Sequence, residues 1–136
     1  MNQPNLQTLV DLRKKFHKYP ELSGMEKNTS EMLKNILEEI NLFNFEKVGE
    51  HAFLATTSGT QQGQHLVFRA ELDALPIEEN NLFEHKSLQS KIAHKCGHDG
   101  HMIILVGLAQ WLKQNPVKKG KVSLLFQSAE ETGTGA

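Results

Sequence analysis

Residues 102–127 read MIILVGLAQWLKQNPVKKGKVSLLFQ, which is an apolar helix pattern followed by an apolar strand pattern. Residues 102–112 have the three- and four-residue spacing of a helix, and they are so apolar that we expect this helix to be largely buried. The helix ends before Pro116. Residues 121–127 then predict a strand whose apolar centre is typical of an interior position in a sheet.

The first half of the chain adds helices and further strands. Two amphipathic helices are predicted, over residues 6–19 and between Gly24 and Ile40. The predicted strands cover residues 43–48, 52–57 and 65–74, and an irregular loop covers residues 78–93. This order predicts an α/β fold with helices packed on a mixed sheet.

Composition limits the classes of function. The chain has 136 residues, enough for one domain with one hydrophobic core. Its formal net charge is −1 and no basic stripe is present, which argues against nucleic-acid or membrane-surface binding. No apolar run approaches a membrane span. Residues 1–4 lack the basic start of a secretory signal, so we expect a cytoplasmic location.

The first polar cluster lies at the end of the strand predicted over residues 65–74. Because a strand alternates its faces, Arg69, Glu71 and Asp73 share one face. In one interpretation these groups orient a metal ligand, and in the other they form a solvated salt-bridge face. Taken alone, the cluster favours the salt bridges.

The densest group of potential metal ligands is residues 94–101, with the sequence HKCGHDGH. The thiolate of Cys96 and the imidazole of His98 suit zinc and other borderline-soft divalent ions. On a helix these two side chains would diverge, whereas on a loop, which Gly97 and Gly100 permit, they can converge. The alternative is a polar loop around a buried cysteine.

Two adjacent carboxylates, Glu130 and Glu131, follow the last apolar strand. Neighbouring acids repel each other and resist burial, and a cation removes that penalty. If the extended geometry continues, one carboxylate binds metal while the other serves as general base. An exposed acidic loop explains the pair equally well.

In this order, the three clusters resemble the motifs of the M20 metallopeptidase family, and in particular its amidohydrolase branch. The resembling motifs are RAELDALPIE at 69–78, CGHDGH at 96–101 and FQSAEE at 126–131. The opening segment through Leu22 is also similar to the first helix of the family. The resemblance implies a zinc-exopeptidase-like catalytic domain that hydrolyses the amide bond of N-acyl amino acids or related small amides.

The resemblance also implies roles for individual residues. Cys96, His98 and Glu131 are the expected metal ligands, with the Cys96 thiolate bridging two divalent ions, zinc or manganese. Glu130 is the expected general base that activates water, and Asp73 is expected to orient a ligand. The residues whose roles stay open are Glu71, His94, Asp99 and His101.

Two substitutions and the length depart from the family pattern. Glu71 and Ser128 stand where aspartate and proline are more frequent, and both changes are mild. Family members continue further, so residues 1–136 are expected to form part of a catalytic domain, without its C-terminal part and without the lid or dimerisation domain. The expected partner is a small N-acyl amino acid, and homo-oligomerisation stays open.

Three alternatives to an active amidohydrolase remain. In the first alternative, the chain is a fragment that folds and binds metal but does not catalyse hydrolysis. A structural zinc module would normally supply four protein ligands, often several cysteines. A cysteine hydrolase built on Cys96 leaves the Glu130–Glu131 pair unexplained.

Overall fold

A computed structural model describes residues 5–135 of the chain. The expectations for residues 1–4 and for Ala136 lie outside this range. Along the described residues, the helices are α1 (Leu6–Lys18), α2 (Lys27–Ile40) and α3 (His98–Gln114), and the strands are β1 (Asn44–Lys47), β2 (Phe53–Ser58), β3 (Gln61–Glu71) and β4 (Lys119–Gln127).

The strands form one mixed sheet in the order β1-β2-β4-β3. Strand β2 pairs antiparallel with β1 and β4, whereas β3 and β4 are parallel. The connection from β3 to β4 passes through α3, which is the crossover that a parallel pair requires. The predicted α/β class with helices on a mixed sheet is confirmed, and β4 has the interior position that its apolar sequence predicted.

A single hydrophobic cluster joins the helices to the sheet. Helix α3 contacts α1, α2 and β3. The fully buried members of this cluster come from α2, β2, β3, α3 and β4, and include Leu33, Leu37, Ala55, Ala70, Met102, Val106, Ala109, Leu124 and Phe126. Burying an aliphatic or aromatic side chain contributes about 1.5–3 kcal/mol, so this cluster fixes α3 and β4 relative to each other.

The parallel pairing brings the carboxyl ends of β3 and β4 together. Glu71, the last residue of β3, is in register with Gln127, the last residue of β4. Helix α3 begins at His98 and has Gly97, at φ 102°, as its N-cap. Glycine tolerates this left-handed conformation because it has no Cβ atom. The loops after both strands and the start of α3 are therefore available to form one site, as is usual in open α/β sheets.

Three boundaries or exposures differ from expectation. Helix α3 begins at His98 rather than at Met102, so His98 and His101 belong to the first turn of a helix rather than to a loop. Strand β3 begins at Gln61 and forms an edge of the sheet, where Leu66, Val67 and Phe68 are 41–54% exposed.

Among residues 5–135, none of the helices has the length and apolar content that a membrane crossing requires.

Candidate metal centre

The three polar clusters of the sequence meet at the carboxyl ends of β3 and β4. Cys96, His98 and Glu131 each offer a ligand atom, and these atoms lie within 4.8 Å of one another. The same holds for the group formed by Asp73, His98 and Glu130. His98 therefore belongs to both of these potential ligand sets. One set contains Glu131 and the other contains Glu130.

The orientation of the His98 ring is set by Asp73. The Nδ1 atom of His98 lies 2.8 Å from the backbone carbonyl oxygen of Asp73. Since a carbonyl can only accept, Nδ1 must carry the proton, which leaves a lone pair on Nε2 of the neutral ring. That Nε2 atom faces the acids, at 3.7 Å from Glu130 Oε2 and 3.7 Å from Glu131 Oε1. A histidine held in this way is typical of metal ligands.

Asp73 also holds the acidic loop. It is fully buried, and its Oδ2 atom accepts hydrogen bonds from the Ser23 hydroxyl at 2.7 Å and from the backbone N–H of Glu131 at 2.8 Å. Its Oδ1 atom has no hydrogen-bond partner among the described residues and lies 3.3 Å from His98 Nδ1. One carboxylate thus contacts two of the predicted ligand residues.

The acidic pair differs in exposure. The side chain of Glu130 is 38% exposed and that of Glu131 is 20% exposed. Glu131 Oε1 is buried and lacks a hydrogen-bond partner among residues 5–135. A buried anionic oxygen without a partner costs free energy unless a cation or proton compensates it. Glu131 therefore has the chemistry of a ligand, and Glu130 has the freedom to meet a solvent molecule or substrate.

Cys96 is exposed, and its sulfur lies within 4.8 Å of a Glu131 carboxylate oxygen. The Glu131 carboxylate raises the pKa of the Cys96 thiol, with desolvation and the other nearby carboxylates adding to the effect. The environment without a cation therefore favours the protonated thiol. A bound divalent ion reverses that balance, because a coordinating thiol loses its proton.

A second pair of side chains, Glu71 and His101, lies next to His98. Glu71 accepts from Arg69 at 2.9 Å and contacts His101 Nδ1 at 2.9 Å. Burial opposes ionisation of Glu71, but the bond to His101 and the nearby charges outweigh it and lower its pKa. Glu71, His98 and His101 form a third possible ligand set within 4.8 Å, although His101 Nδ1 is already engaged.

Behind the loop that carries Cys96, a set of charges forms closed ion pairs. His17 lies with Nδ1 2.7 Å from Asp99 Oδ2 and Nε2 3.0 Å from Glu79 Oε1. Arg13 adds a contact of 2.9 Å to the same Asp99 oxygen. Both ring nitrogens of His17 therefore contact an acid. Asp99 lies in the first turn of α3, where its side chain also accepts from the backbone N–H of Gly100 at 3.0 Å.

Glu79 anchors the long loop into these ion pairs. Its carboxylate accepts from Lys95 at 2.5 Å, from the backbone N–H of Ser87 at 2.6 Å and from Asn81 at 2.9 Å. Burial opposes ionisation of this group, but the bonds from Lys95, Ser87, His17 and Asn81 outweigh it and hold the pKa of Glu79 well below its usual range. Residues 78–93 are irregular as expected, yet Glu79 fixes them to α1 and to the loop before α3.

His94 is a buried residue of the loop before α3. Neither ring nitrogen has a hydrogen-bond partner among the described residues, and the ring lies 6.5 Å from that of His17. Burial lowers the pKa of His94 to about 4, so the ring is neutral near neutral pH. The sequence left the role of His94 open, and His94 is not a member of the potential ligand sets found among residues 5–135.

The structure thus brings together Cys96, His98, Glu130, Glu131 and Asp73, the five residues that the sequence selected. Their roles as ligands, base and orienting group stay predictions. Sequence reasoning missed Glu79 and Glu26, and it noted His17 only as part of a family-like opening helix. Nothing local in the sequence indicated the contact of Glu26 with Ala129.

Comparison with known proteins decides the family. The sequence profile of peptidase family M20/M25/M40 matches residues 67–136, more than half of the chain and all three motif clusters. The chain belongs to this family. The family membership that the sequence motifs predicted is therefore confirmed, and the candidate metal centre lies within the matched residues.

Relatives of known activity match along nearly the whole chain. A thermostable carboxypeptidase of Saccharolobus solfataricus is 39% identical over 92% of this chain and 32% of its own length. The N-acetyl-L-cysteine deacetylase of Bacillus subtilis is 40% identical over 99% of this chain and 34% of its own length. The M20 chain described here therefore spans about a third of the length of these relatives.

The fold agrees with that of a solved M20 protein. The YXEP protein of Bacillus subtilis, described as a dinuclear metal-binding peptidase of this family, superposes with a TM-score of 0.89. It is 33% identical, and the match covers 95% of this chain and 37% of that protein. The α/β architecture is thus shared with a protein that binds two metal ions.

Proposed function

We propose that this chain forms part of the catalytic domain of a metal-dependent amidohydrolase, which cleaves the amide bond of N-acyl amino acids or related small amides. The observation that carries the proposal is the convergence of Cys96, His98 and Glu131 within 4.8 Å, next to a second acid, Glu130. The deacetylase among the relatives supports the choice of an N-acyl amino acid as substrate.

The residues at the candidate centre fit a divalent cation. Cys96, His98 and Glu131 would hold it, because they supply sulfur, nitrogen and oxygen donors that suit zinc and also manganese. Two observations support this fit: Glu131 Oε1 is buried without a hydrogen-bond partner among residues 5–135, and Nε2 of His98 lies 3.7 Å from it. When bound, such an ion supplies Lewis acidity that polarises an amide carbonyl and makes water more acidic.

Glu130 is the proposed general base. Both acids lie 3.7 Å from His98 Nε2, but the carboxylate of Glu130 is the more exposed of the two, which favours it as the group that meets a water molecule. Glu130 takes a proton from the attacking water and returns it to the leaving nitrogen, which completes general acid–base catalysis of hydrolysis. The backbone carbonyl of Asp73 keeps the His98 ring in place through both steps by accepting the hydrogen bond from its Nδ1–H.

A second candidate substrate is the carboxyl-terminal bond of a peptide, which the carboxypeptidase among the relatives favours. A third possibility is that the chain binds metal without turnover. Further expectations belong to the same proposal: a pair of zinc or manganese ions, a cytoplasmic location, homo-oligomerisation, and a catalytic domain to which more chain contributes.

The test is hydrolysis of N-acetyl amino acids and of short peptides by the protein loaded with zinc or manganese. Glu130→Gln should lower kcat by about 100- to 10,000-fold, the range that a general base contributes, while leaving the bound metal unchanged. The matched control is Glu31→Gln, on the exposed surface of α2, which should leave both rate and metal content unchanged.

The outcomes separate the candidates. Preference for N-acetyl amino acids over peptides supports the amidohydrolase, and the reverse preference supports a carboxypeptidase. An unchanged rate in Glu130→Gln removes Glu130 from the mechanism. Metal binding without hydrolysis of either substrate class favours the inactive form.

A further inference from the structure

Glu26 is a fully buried acid that the candidate metal centre does not use. Its side chain is 0% exposed, and burying a carboxylate without compensation is costly. Glu26 is the N-cap residue of α2, yet its side chain makes no hydrogen bond to the first turn of that helix. Its carboxylate must therefore serve another contact.

The capping of α2 is done by a different acid. Glu21 accepts from the backbone N–H of Asn28 at 3.3 Å and from that of Thr29 at 2.7 Å. These N–H groups are among the unpaired donors that every helix start leaves. Because Glu21 satisfies them, the side chain of Glu26 is free to turn into the protein.

Glu26 reaches the loop after β4. Its Oε1 atom accepts the backbone N–H of Ala129 at 2.7 Å, across 103 positions of sequence. Ala129 has φ 53°, in the left-handed region. A residue with a Cβ atom rarely adopts this conformation, so the surrounding contacts must hold it there.

This turn sets the direction of the acidic pair. Ala129 directly precedes Glu130, and its carbonyl accepts from the backbone N–H groups of Thr134 and Gly135, each at 3.1 Å. Two residues later, the N–H of Glu131 is held by Asp73. Two buried carboxylates thus clamp the loop on either side of Glu130.

We propose that Glu26 is a positioning residue, which fixes the left-handed turn at Ala129 and so aims Glu130 and Glu131 at His98 and Cys96. The positioning itself is a property of the polypeptide, and only its benefit to metal binding rests on the proposed function. Glu26 is not a catalytic residue, since it acts through the backbone of Ala129.

Three substitutions separate this role from packing and from charge. Glu26→Gln keeps the size and an acceptor oxygen for the Ala129 N–H. Glu26→Met keeps a similar size but has no acceptor of comparable strength. Glu26→Asp keeps the charge but shortens the reach by one methylene, so its carboxylate no longer meets the Ala129 N–H.

The primary measurement is amide hydrogen exchange at Ala129 in the metal-free full chain, followed by NMR. Loss of a bond to a charged acceptor should speed this exchange about tenfold or more in Glu26→Met and Glu26→Asp. Glu26→Gln should stay within about threefold of the parent, because it retains a neutral acceptor. If Glu26→Met does not fold, Glu26→Asp carries the same test. Unchanged exchange at Ala129 in the folded variants overturns the proposal.

Zinc affinity, measured by competition with a chelator, gives the second readout. Glu26→Met should weaken zinc binding about tenfold, and Glu26→Gln should restore most of it. Glu131→Gln in the same assay tests the proposed function by itself: if it leaves zinc affinity unchanged, the metal centre is wrong while exchange at Ala129 still decides the role of Glu26. If Glu131→Gln weakens zinc binding and Glu26→Met does not, the positioning role is wrong.

Discussion

Two neighbouring groups of charged side chains differ in how completely they are paired. The paired cluster consists of Arg13, His17, Glu79, Lys95 and Asp99, where each carboxylate meets at least two donors. The open cluster consists of Cys96, His98, Glu130 and Glu131. There, Glu131 Oε1 is buried without a partner among residues 5–135, and the thiol faces an acid.

The difference separates a structural role from a binding role. Buried charges are tolerated when opposite charges and hydrogen bonds compensate them, and the paired cluster meets that requirement from within the chain. The open cluster has an excess of acids and donor atoms that converge on one point. A divalent cation would supply the missing compensation. We therefore expect the paired cluster to affect folding and the open cluster to affect metal binding.

The largest effect on the fold should come from removing Asp99, the acid shared by Arg13 and His17. Asp99→Ala removes the acceptor of the buried His17 Nδ1 atom and of the Arg13 guanidinium, while His17 keeps its contact with Glu79. The free energy of unfolding should therefore fall by about 3 kcal/mol. Urea denaturation in the presence of a chelator measures this without any contribution from metal. Asp11→Ala, at an exposed position of α1, is the control and should change stability by less than about 0.5 kcal/mol. Equal losses in the two variants would contradict the structural role of the paired cluster.

Removing an acid from the open cluster should lower zinc affinity without lowering the stability of the metal-free protein. In Glu131→Gln, the stability of the metal-free protein should stay the same or rise, because a poorly compensated buried charge is lost. Zinc affinity should fall by about 100-fold or more, beyond the 10- to 100-fold typical of residues that only support a ligand. Chelator competition and urea denaturation on the same sample measure both quantities. A large loss of metal-free stability would show that the open cluster is structural.

Acid should weaken the paired cluster through Glu79. Its folded pKa is lowered, so the stability that it contributes is present above its ordinary pKa of 4.5 and is lost as pH falls below that value. Below pH 4.5, the unfolding free energy should fall by up to about 1.4 kcal/mol per pH unit for this one proton. Glu79→Gln should remove that part of the slope, whereas Glu84→Gln, an exposed acid of the same loop, should not. Thermal or urea unfolding from pH 6 to pH 3 measures the slopes, and identical slopes for the parent and Glu79→Gln would contradict the assignment.

The smallest effect should come from His101, which lies beside the open cluster but is already bonded. Its ring is 50% exposed and its Nδ1 atom contacts Glu71. Exposed ion pairs contribute about 0.2–1 kcal/mol, so His101→Gln should change zinc affinity by less than about fivefold. The same competition assay measures it. A loss as large as that of Glu131→Gln would place His101 among the ligands.

Local patterns were sufficient to predict the elements and the converging motifs. The apolar sequence of residues 121–127 indicated an interior strand, and β4 is interior because it pairs with both β2 and β3. The motifs at Asp73 and Glu131 both follow strands, and parallel pairing brings their ends together. The start of α3 was placed too late because the polar residues 98–100 resemble a loop, and because Gly97, which takes a left-handed conformation directly before the helix, carries no side-chain cap.

Contacts between distant residues could not be predicted in this way. His17 meets Asp99 across 82 positions, and Glu26 meets Ala129 across 103. Neither pair has a local signal, since a histidine in α1 and an acid before α2 are ordinary surface residues by pattern. Only the packing of α1 and α2 against α3 and β4 brings them into the interior.

The central claim is that the open cluster binds a divalent cation through the Cys96 sulfur together with nitrogen and oxygen donors. X-ray absorption spectroscopy at the zinc edge of the loaded protein tests it most directly. The claim predicts a sulfur neighbour at about 2.3 Å with nitrogen or oxygen neighbours at about 2.0–2.2 Å, and loss of the sulfur shell in Cys96→Ser. A shell of nitrogen and oxygen alone, identical in the parent protein and in Cys96→Ser, would contradict it.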